Sequence, residues 1–389
     1  MKILCLFGEN QYGNIVRGES TESFSFMPAL QALGHEVRIF DSWDKSAYSN
    51  YAELNVALVD RCKQDTPDVI LWVALNVEIW IETLDFLRHA LGIRVIHWAP
   101  DDSWKFRQHS CFIARHVDLC VTTYPEFLKQ YRSLGARAFV SGWGIPEAWR
   151  GNVVPSANCA YDVTFVGTAQ PARARMIKAL ERSGVRIQCF GYGWPAGPIP
   201  SDRIPEIFRQ SRISLNFANS SGANQVKARV FEVTGAGGFL LTESAPGLDR
   251  IFELDREVAA FVSVDECEQM VRYYLANPTQ RDLIARAGNA RTQREYSYVV
   301  RLRKVLAALP AGPGLLATVH GGFEEVAARH THPKILRWLA AFLTFFGVCI
   351  FGQQRGPRFA RRLCFEVSWR MAGESTFAAA GLVGRMFYV

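Results

Sequence analysis

The sequence predicts an α/β protein made of two successive domains, each a parallel sheet wrapped by helices. Three observations carry that reading. Short apolar runs alternate with segments of helical period through the first 150 residues, which is the pattern of a parallel sheet. Near residues 150–160 the chain turns polar and irregular ("RGNVVPSANCA"), and then the alternation restarts. The 389 residues suit two domains with an appendage, and 49% hydrophobic residues suffice to fill two cores.

In order, "KILCLF" reads as a first strand, residues 20–33 as a helix ending near Gly34, and "HEVRIF" as a second strand. A helix around 51–64 leads to the buried strand "DVILWVA", and residues 78–91 are helical before the strand "RVIHWA". "DLCVTT" and "ARAFVS" follow as strands, separated by the helical "PEFLKQYRSLG". After the polar break, "YDVTFVG", "RIQCFG", "ISLNFA", "GFLLTE" and "VAAFVS" are strands. Helices at 171–183, 205–211, 226–236, 265–276 and 279–294 stand among and after them. The expected architecture is two Rossmann-like domains, 1–150 and 151–310, facing a cleft, with a basic and apolar appendage at 311–389. Ligands of such folds bind beyond the carboxyl ends of the strands.

Charge is unevenly placed. Residues 331–389 hold eight Lys or Arg against Glu366 and Glu374, so +6 of the net +7 lies there. The rest of the chain is nearly neutral, which argues against a nucleic-acid groove across the main body. The nine cysteines show no Cys-x-x-Cys spacing and read as reduced residues of a cytosolic protein, without a metal site. The N-terminal "MKILCLFGEN" breaks at Gly8 and Glu9 after a short apolar run, unlike a signal peptide.

Within the appendage, "WLAAFLTFFGVCIFG" (Trp338 to Gly352) is fifteen uncharged residues, followed by Arg355, Arg358, Arg361 and Arg362. As a helix it reaches about 22 Å, short of the ~30 Å hydrocarbon core of a bilayer. The expectation is a peripheral attachment, through 338–362, to the anionic inner face of the membrane without crossing it. The alternative is an ordinary helix packed on a domain.

The chain holds no Gly-x-x-x-x-Gly-Lys-Ser/Thr loop, no His-Glu-x-x-His, no Gly-x-Ser-x-Gly and no Asp-x-Asp. The glycines of "KARVFEVTGAGGFLLTE" do not make a dinucleotide fingerprint. They follow a helix and open a strand, and Leu240 stands where the last glycine should be, so they read as a helix C-cap. Arg229 and Glu232 share one face near the start of that helix, where free N–H groups and Lys227 favour an anion. Their alternative is a surface ion pair. In "VIHWAPDD", His97, Asp101 and Asp102 cluster at a strand's carboxyl end. His97 or Asp102 there could deprotonate an acceptor hydroxyl. Asp101 and Asp102 could equally cap the helix that follows.

The order Arg-x-Phe-Glu, small-residue turn, Gly-Gly, apolar strand, Pro-Gly-Leu loop and "YYLANP" resembles the donor-nucleotide half of GT-B glycosyltransferases. It is similar above all to the CgeB-like branch of the glycosyl transferases group 1. The resemblance covers about 160–300 and takes in "YDVTFVGTAQPARARMIKAL" and "ISLNFA". It implies a metal-independent, cofactor-free transfer from a nucleotide sugar, a UDP-sugar first among donors, to a glycan or lipid-linked acceptor. It implies that Glu232 meets the ribose hydroxyls and that Gly167 and Thr168 form the turn against the diphosphate. Arg173 or Arg175 would then supply charge to the leaving group, unless they form only a solvated helix face. The first acid of the family's Glu-x7-Glu motif falls on Asn224, a departure that puts donor identity in question. A non-catalytic nucleotide-sugar-binding protein and a membrane-associated scaffold are the rival readings.

Overall fold

The computed structural model describes residues 1–218, 225–312 and 322–388. The chain divides into two compact units, Met1–Gly142 with Arg303–Val389, and Trp143–Leu302.

Unit 1 is built on six parallel strands: β1 (Lys2–Phe7), β2 (Glu36–Asp41), β3 (Val69–Trp72), β4 (Arg94–Ala99), β5 (Leu119–Thr122) and β6 (Ala138–Val140). Their order across the sheet is β2-β1-β3-β4-β5-β6. β3, β4 and β5 are buried almost throughout, as strands with helices on both faces must be, while β2 and β6 at the edges are half-exposed. The register runs Lys2↔Glu36 to Phe7↔Asp41 between β1 and β2, and Ile3↔Val69 to Leu6↔Trp72 between β1 and β3. Helix Thr21–Ala32 starts where the Ser20 hydroxyl accepts from the Ser23 N–H at 2.9 Å. The same hydroxyl donates to the Gly8 carbonyl at 2.6 Å, tying the helix start to the end of β1.

The C-terminal residues complete unit 1 instead of standing apart from it. Cys364, Phe365, Phe377 and Val383 lie in one core cluster with Leu54, Trp72 and Trp80. Helix Lys334–Ala372 breaks at Gly352, whose φ of 76° and ψ of 171° are not helical. A Cβ on Gly347 would stand 2.5 Å from the Gly356 carbonyl oxygen. Nine residues of straight helix would separate those two by about 13 Å, so the chain doubles back into a hairpin. Only glycine lets the limbs approach so closely.

Unit 2 carries β7 (Tyr161–Val166), β8 (Gln188–Phe190), β9 (Ser211–Asn216), β10 (Leu240–Glu243) and β11 (Ala259–Phe261), all parallel, in the order β8-β7-β9-β10-β11. The polar stretch at 150–160 belongs to this unit. Arg281, fully buried, donates to the Val154 carbonyl and to those of Ser211 and Arg212, while Asn289 and Gln293 donate to Gly151. The stretch is polar because its backbone is held by side chains and not by a ladder. The glycine cluster closes helix Ala228–Gly235: Gly237 has φ +92° and the Gly238 N–H reaches the Val233 carbonyl at 2.9 Å, a left-handed C-cap.

Both sheets share one topology. The first strand of each unit is flanked by the second on one side and the third on the other, which puts switch points between β1 and β3 and between β7 and β9. There the connections leave for opposite faces and open a crevice beyond the strand ends.

Candidate functional site

At the unit 2 switch point, β7 runs into Gly167, and the Trp194 indole N–H donates to the Gly167 carbonyl at 2.7 Å. Gly191 packs on the same carbonyl with φ +128°, where a Cβ would come within 2.4 Å of the oxygen. This turn is therefore fixed from behind. Arg173, in the first turn of helix Pro171–Arg182, lies against it: its Nη1 donates to the Thr168 carbonyl at 3.4 Å, and its buried Nε has no partner among the described residues. Burial first, and the Arg229 charge second, lower the Arg173 pKa. Two guanidiniums, one from each helix flanking the switch point, thus bear on one place.

Arg229 itself pairs with Glu232 at 2.7 Å and lies over the Phe208 ring, its charge 5.0 Å from the centroid. The ion pair expected as the plain alternative is present. Both side chains are only partly exposed, 24% and 13%, so the pair lines the site more than it decorates the surface. Lys227 is the N-cap residue of helix Ala228–Gly235. Thr168 is exposed beside Gly167. Arg175 is exposed and donates back to the Pro171 carbonyl of its own helix, which matches a solvated helix face. Asn224 lies outside the described residues. This half of the site gathers Gly167, Arg173, Arg229 and Glu232 and leaves Arg175 aside.

In unit 1 the candidate acid–base residues lie deeper than the sequence implied. His97 is buried in β4, its ring tilted on Trp72 at 4.7 Å, and desolvation followed by the Lys105 charge lowers its pKa to about 3. It stays neutral and faces aromatic neighbours. Asp102 is buried too. The Tyr131 hydroxyl donates to it at 2.8 Å, and desolvation raises its pKa against the pull of the Ser110, Thr122 and Tyr131 hydroxyls. Neither side chain reaches the surface. Asp101 occupies the N-cap position of the short helix Asp102–Lys105, yet its side chain makes no cap bond.

One carboxylate escaped the sequence reading. Glu22 stands in the first turn of the helix that follows β1, at the unit 1 switch point. One of its oxygens is sealed from solvent without a partner among the described residues. Desolvation raises its pKa to about 7, against a hydrogen bond from its own backbone N–H, with Asp101 adding to the rise and Lys105 opposing it. The signal in "STESF" is the cap serine and the acid two residues on, but strand order was needed to show that this helix starts beside a crevice.

Residues 173–307 match the glycosyl transferase-like family. In fold, the chain is similar to Anabaena HepE, whose structure holds UDP, at 13% identity and a TM-score of 0.53 over 79% of this chain and 100% of that one. It is similar also to sucrose-phosphate synthase of Thermosynechococcus elongatus, at 12% identity and a TM-score of 0.52, with 79% and 100% covered. The β-glucosyltransferase of T4 phage is a third, at 14% identity and a TM-score of 0.50, with 79% and 99% covered. The chain has the GT-B fold of these enzymes. No curated protein matches it in sequence. The matched segment begins at Arg173 and contains the pair Arg229–Glu232, so most of the unit 2 candidate residues fall inside it. Gly167 and Thr168 lie just before it.

Proposed function

We propose that the protein transfers a sugar from a UDP-sugar, without a divalent metal, to an acceptor hydroxyl. The observation that carries the donor assignment is Arg173 held against the fixed Gly167 turn at the unit 2 switch point with the Arg229 charge bearing on it. Two cations held together beside exposed backbone suit a diphosphate, and they stabilise the charge that grows on it as the glycosidic bond breaks. Glu232 bonds the ribose hydroxyls, with Arg229 fixing its carboxylate. Gly167 and Thr168 give room to the diphosphate, and Lys227 borders the nucleotide. UDP as the nucleotide is supported by the HepE structures with UDP and UDP-glucose.

Glu22 takes the part of general base. Its raised pKa leaves a carboxylate of useful basicity near neutral pH. The acceptor hydroxyl gives its proton to Glu22, the oxygen bonds to the anomeric carbon, and UDP leaves with the electron pair. His97 and Asp102 act through others: Asp102 holds Tyr131 beneath the helix Asp102–Lys105, and His97 packs the strand end below it.

Peripheral membrane attachment on the cytoplasmic side belongs to the same reading. Residues 334–351 form a helix of about 27 Å that is almost wholly uncovered: Trp338 is 75%, Phe342 63% and Phe345 69% exposed. It is long and apolar enough to cross a membrane by composition. Connectivity argues for lying in the surface instead. His330 before it and Ala360 after it are both buried in unit 1. The eight residues from Gly352 to Ala360 extend only about 12 Å as helix, well short of a bilayer core.

Incubation of the purified protein with a panel of nucleotide sugars and glycan or lipid-linked acceptors, in chelator, tests the transfer. Turnover of a UDP-sugar is expected. Binding of UDP without turnover for any acceptor would favour a non-catalytic sugar-nucleotide protein, and activity restored only by magnesium or manganese would remove the metal-independent mechanism. Flotation with anionic liposomes tests attachment. Replacing Trp338, Phe342 and Phe345 by serine should abolish it, and equal flotation of that variant would refute the surface helix.

A further inference from the structure

The second limb of the C-terminal hairpin closes a cavity of about 320 Å³ in unit 1, at the carboxyl ends of β3 and β4. Arg358, Arg361 and Arg362 line one side and Lys105 lines the other, and no acid is among the lining residues. Their spacing of three and four residues puts the three arginines on one helix face. Arg362 is engaged by Glu366 at 2.5 Å and by Gln108 at 3.4 Å. Arg358 and Arg361 enter no ion pair among the described residues. Burial, and then Arg358 itself, depress the Arg361 pKa. Like charges so close weaken a helix unless an anion offsets them.

The opposite wall is set in advance. The buried Glu78 carboxylate accepts from the Leu75 and Asn76 N–H groups, each at 2.6 Å. The Lys105 ammonium donates to the Leu75 carbonyl at 3.1 Å, and the His109 ring contacts the Asn76 carbonyl at 3.0 Å. Asn76 and Gln108 offer neutral polar groups beside the cations. Lys105 also acts electrostatically on Glu22, so cavity and candidate base share a neighbour. On the other side, Arg358 is six residues past the turn at Gly352 that ends the exposed apolar limb.

We propose that this cavity is an acceptor subsite that takes a phosphate or diphosphate group, with Arg358, Arg361 and Lys105 as its cationic ligands and the apolar limb beside it meeting a lipid tail. Volume, charge and location at strand ends agree with an oxyanion ligand of small-molecule size. The word acceptor rests on the sugar-transfer reading. The anion site itself is measured without transfer.

Inorganic pyrophosphate is titrated calorimetrically into full-length protein with UDP present at saturation, so that the unit 2 site is filled. Saturable binding is expected, weakened about tenfold or more in R358Q/R361Q and largely kept in R358K/R361K, with thermal melting as the control for folding. No saturable binding, or equal binding by R358Q/R361Q, overturns the proposal. Competition against pyrophosphate by phosphatidic acid vesicles, but not by phosphatidylglycerol vesicles of equal charge, assigns the phosphate to a lipid. Absence of competition keeps the anion subsite, assigns it to a soluble phosphate and overturns the lipid part. Failure of UDP to bind, with arginine-dependent pyrophosphate binding intact, would sink the donor reading and leave this one standing.

Discussion

The two sheets repeat one topology and fill their switch points with opposite chemistry. Beyond β7 and β9 stand Arg173, against the Gly167 turn, and Arg229, paired with Glu232. Beyond β1 stands the carboxylate Glu22, one oxygen without a partner among the described residues and its pKa raised mainly by desolvation. A parallel sheet supplies a crevice wherever its strand order reverses. What the crevice does is decided by whether the helix starts around it carry cations, which wait for an anion, or a desolvated acid, which waits for a proton.

The sharpest way to break that contrast is to neutralise Glu22. E22Q should lower kcat by ~10²–10⁴-fold, the ordinary share of a general base, with UDP affinity unchanged. The pH profile gives the same test without mutation. A carboxylic acid that is protonated cannot accept a proton, so kcat should fall as pH drops through about 7 and level off above it. In E22Q that limb should vanish. A profile with the same limb in both would move the base elsewhere.

Changes on the unit 2 side should be smaller and should act through the donor. R173Q should reduce kcat/KM by ~10–100-fold, which is the ~1.5–3 kcal/mol of a charge-assisted hydrogen bond. E232Q should weaken uridine and UDP while leaving pyrophosphate affinity alone. Loss of pyrophosphate binding in E232Q would mean that the carboxylate only holds Arg229 in place. The two outcomes separate ribose recognition from positioning, and calorimetry with the three ligands distinguishes them.

The smallest effect concerns how the C-terminal segment is held to unit 1. His116 lies 2.8 Å from Asp85 and 3.4 Å from Glu374. Burial acts to lower its pKa, but the two carboxylates outweigh it and the net shift is upward. A raised pKa means that the stabilisation is full below the ordinary value of 6.5 and disappears as pH rises through the folded-state value. H116Q should therefore cost about 0.3–1 kcal/mol in urea unfolding at pH 6 and much less at pH 8. An equal loss at both would assign His116 to packing.

Much of the candidate site on unit 2 was legible because it is local. Arg229 and Glu232 share a helix face by spacing alone, and Gly167 ends a strand whose apolar run is plain. Unit 1 was not legible in the same way. "VIHWAPDD" looked chemical because acids and a histidine crowd a strand end. Burial decides otherwise, since His97 meets Trp72 and Asp102 meets Tyr131. The segment "WLAAFLTFFGVCIFG" looks like an appendage because nothing local ties it to residues 1–142, and it is the following limb that enters the core through Cys364 and Phe365.

By itself the sequence determined what depends on neighbours along the chain. Among the described residues, the strands of both sheets, most of the helices between them and the C-cap at Gly237 are written in apolar period, turn residues and caps. Tertiary structure alone decided strand order, and with it the two switch points, the depth of each ionisable group and the return of the C-terminal hairpin to unit 1. The reason is that desolvation and charge proximity are properties of space. Glu22 and Lys105 are 83 residues apart in the sequence, yet the Lys105 charge acts on Glu22; Arg358 is more than 250 residues from Lys105, yet both line one cavity.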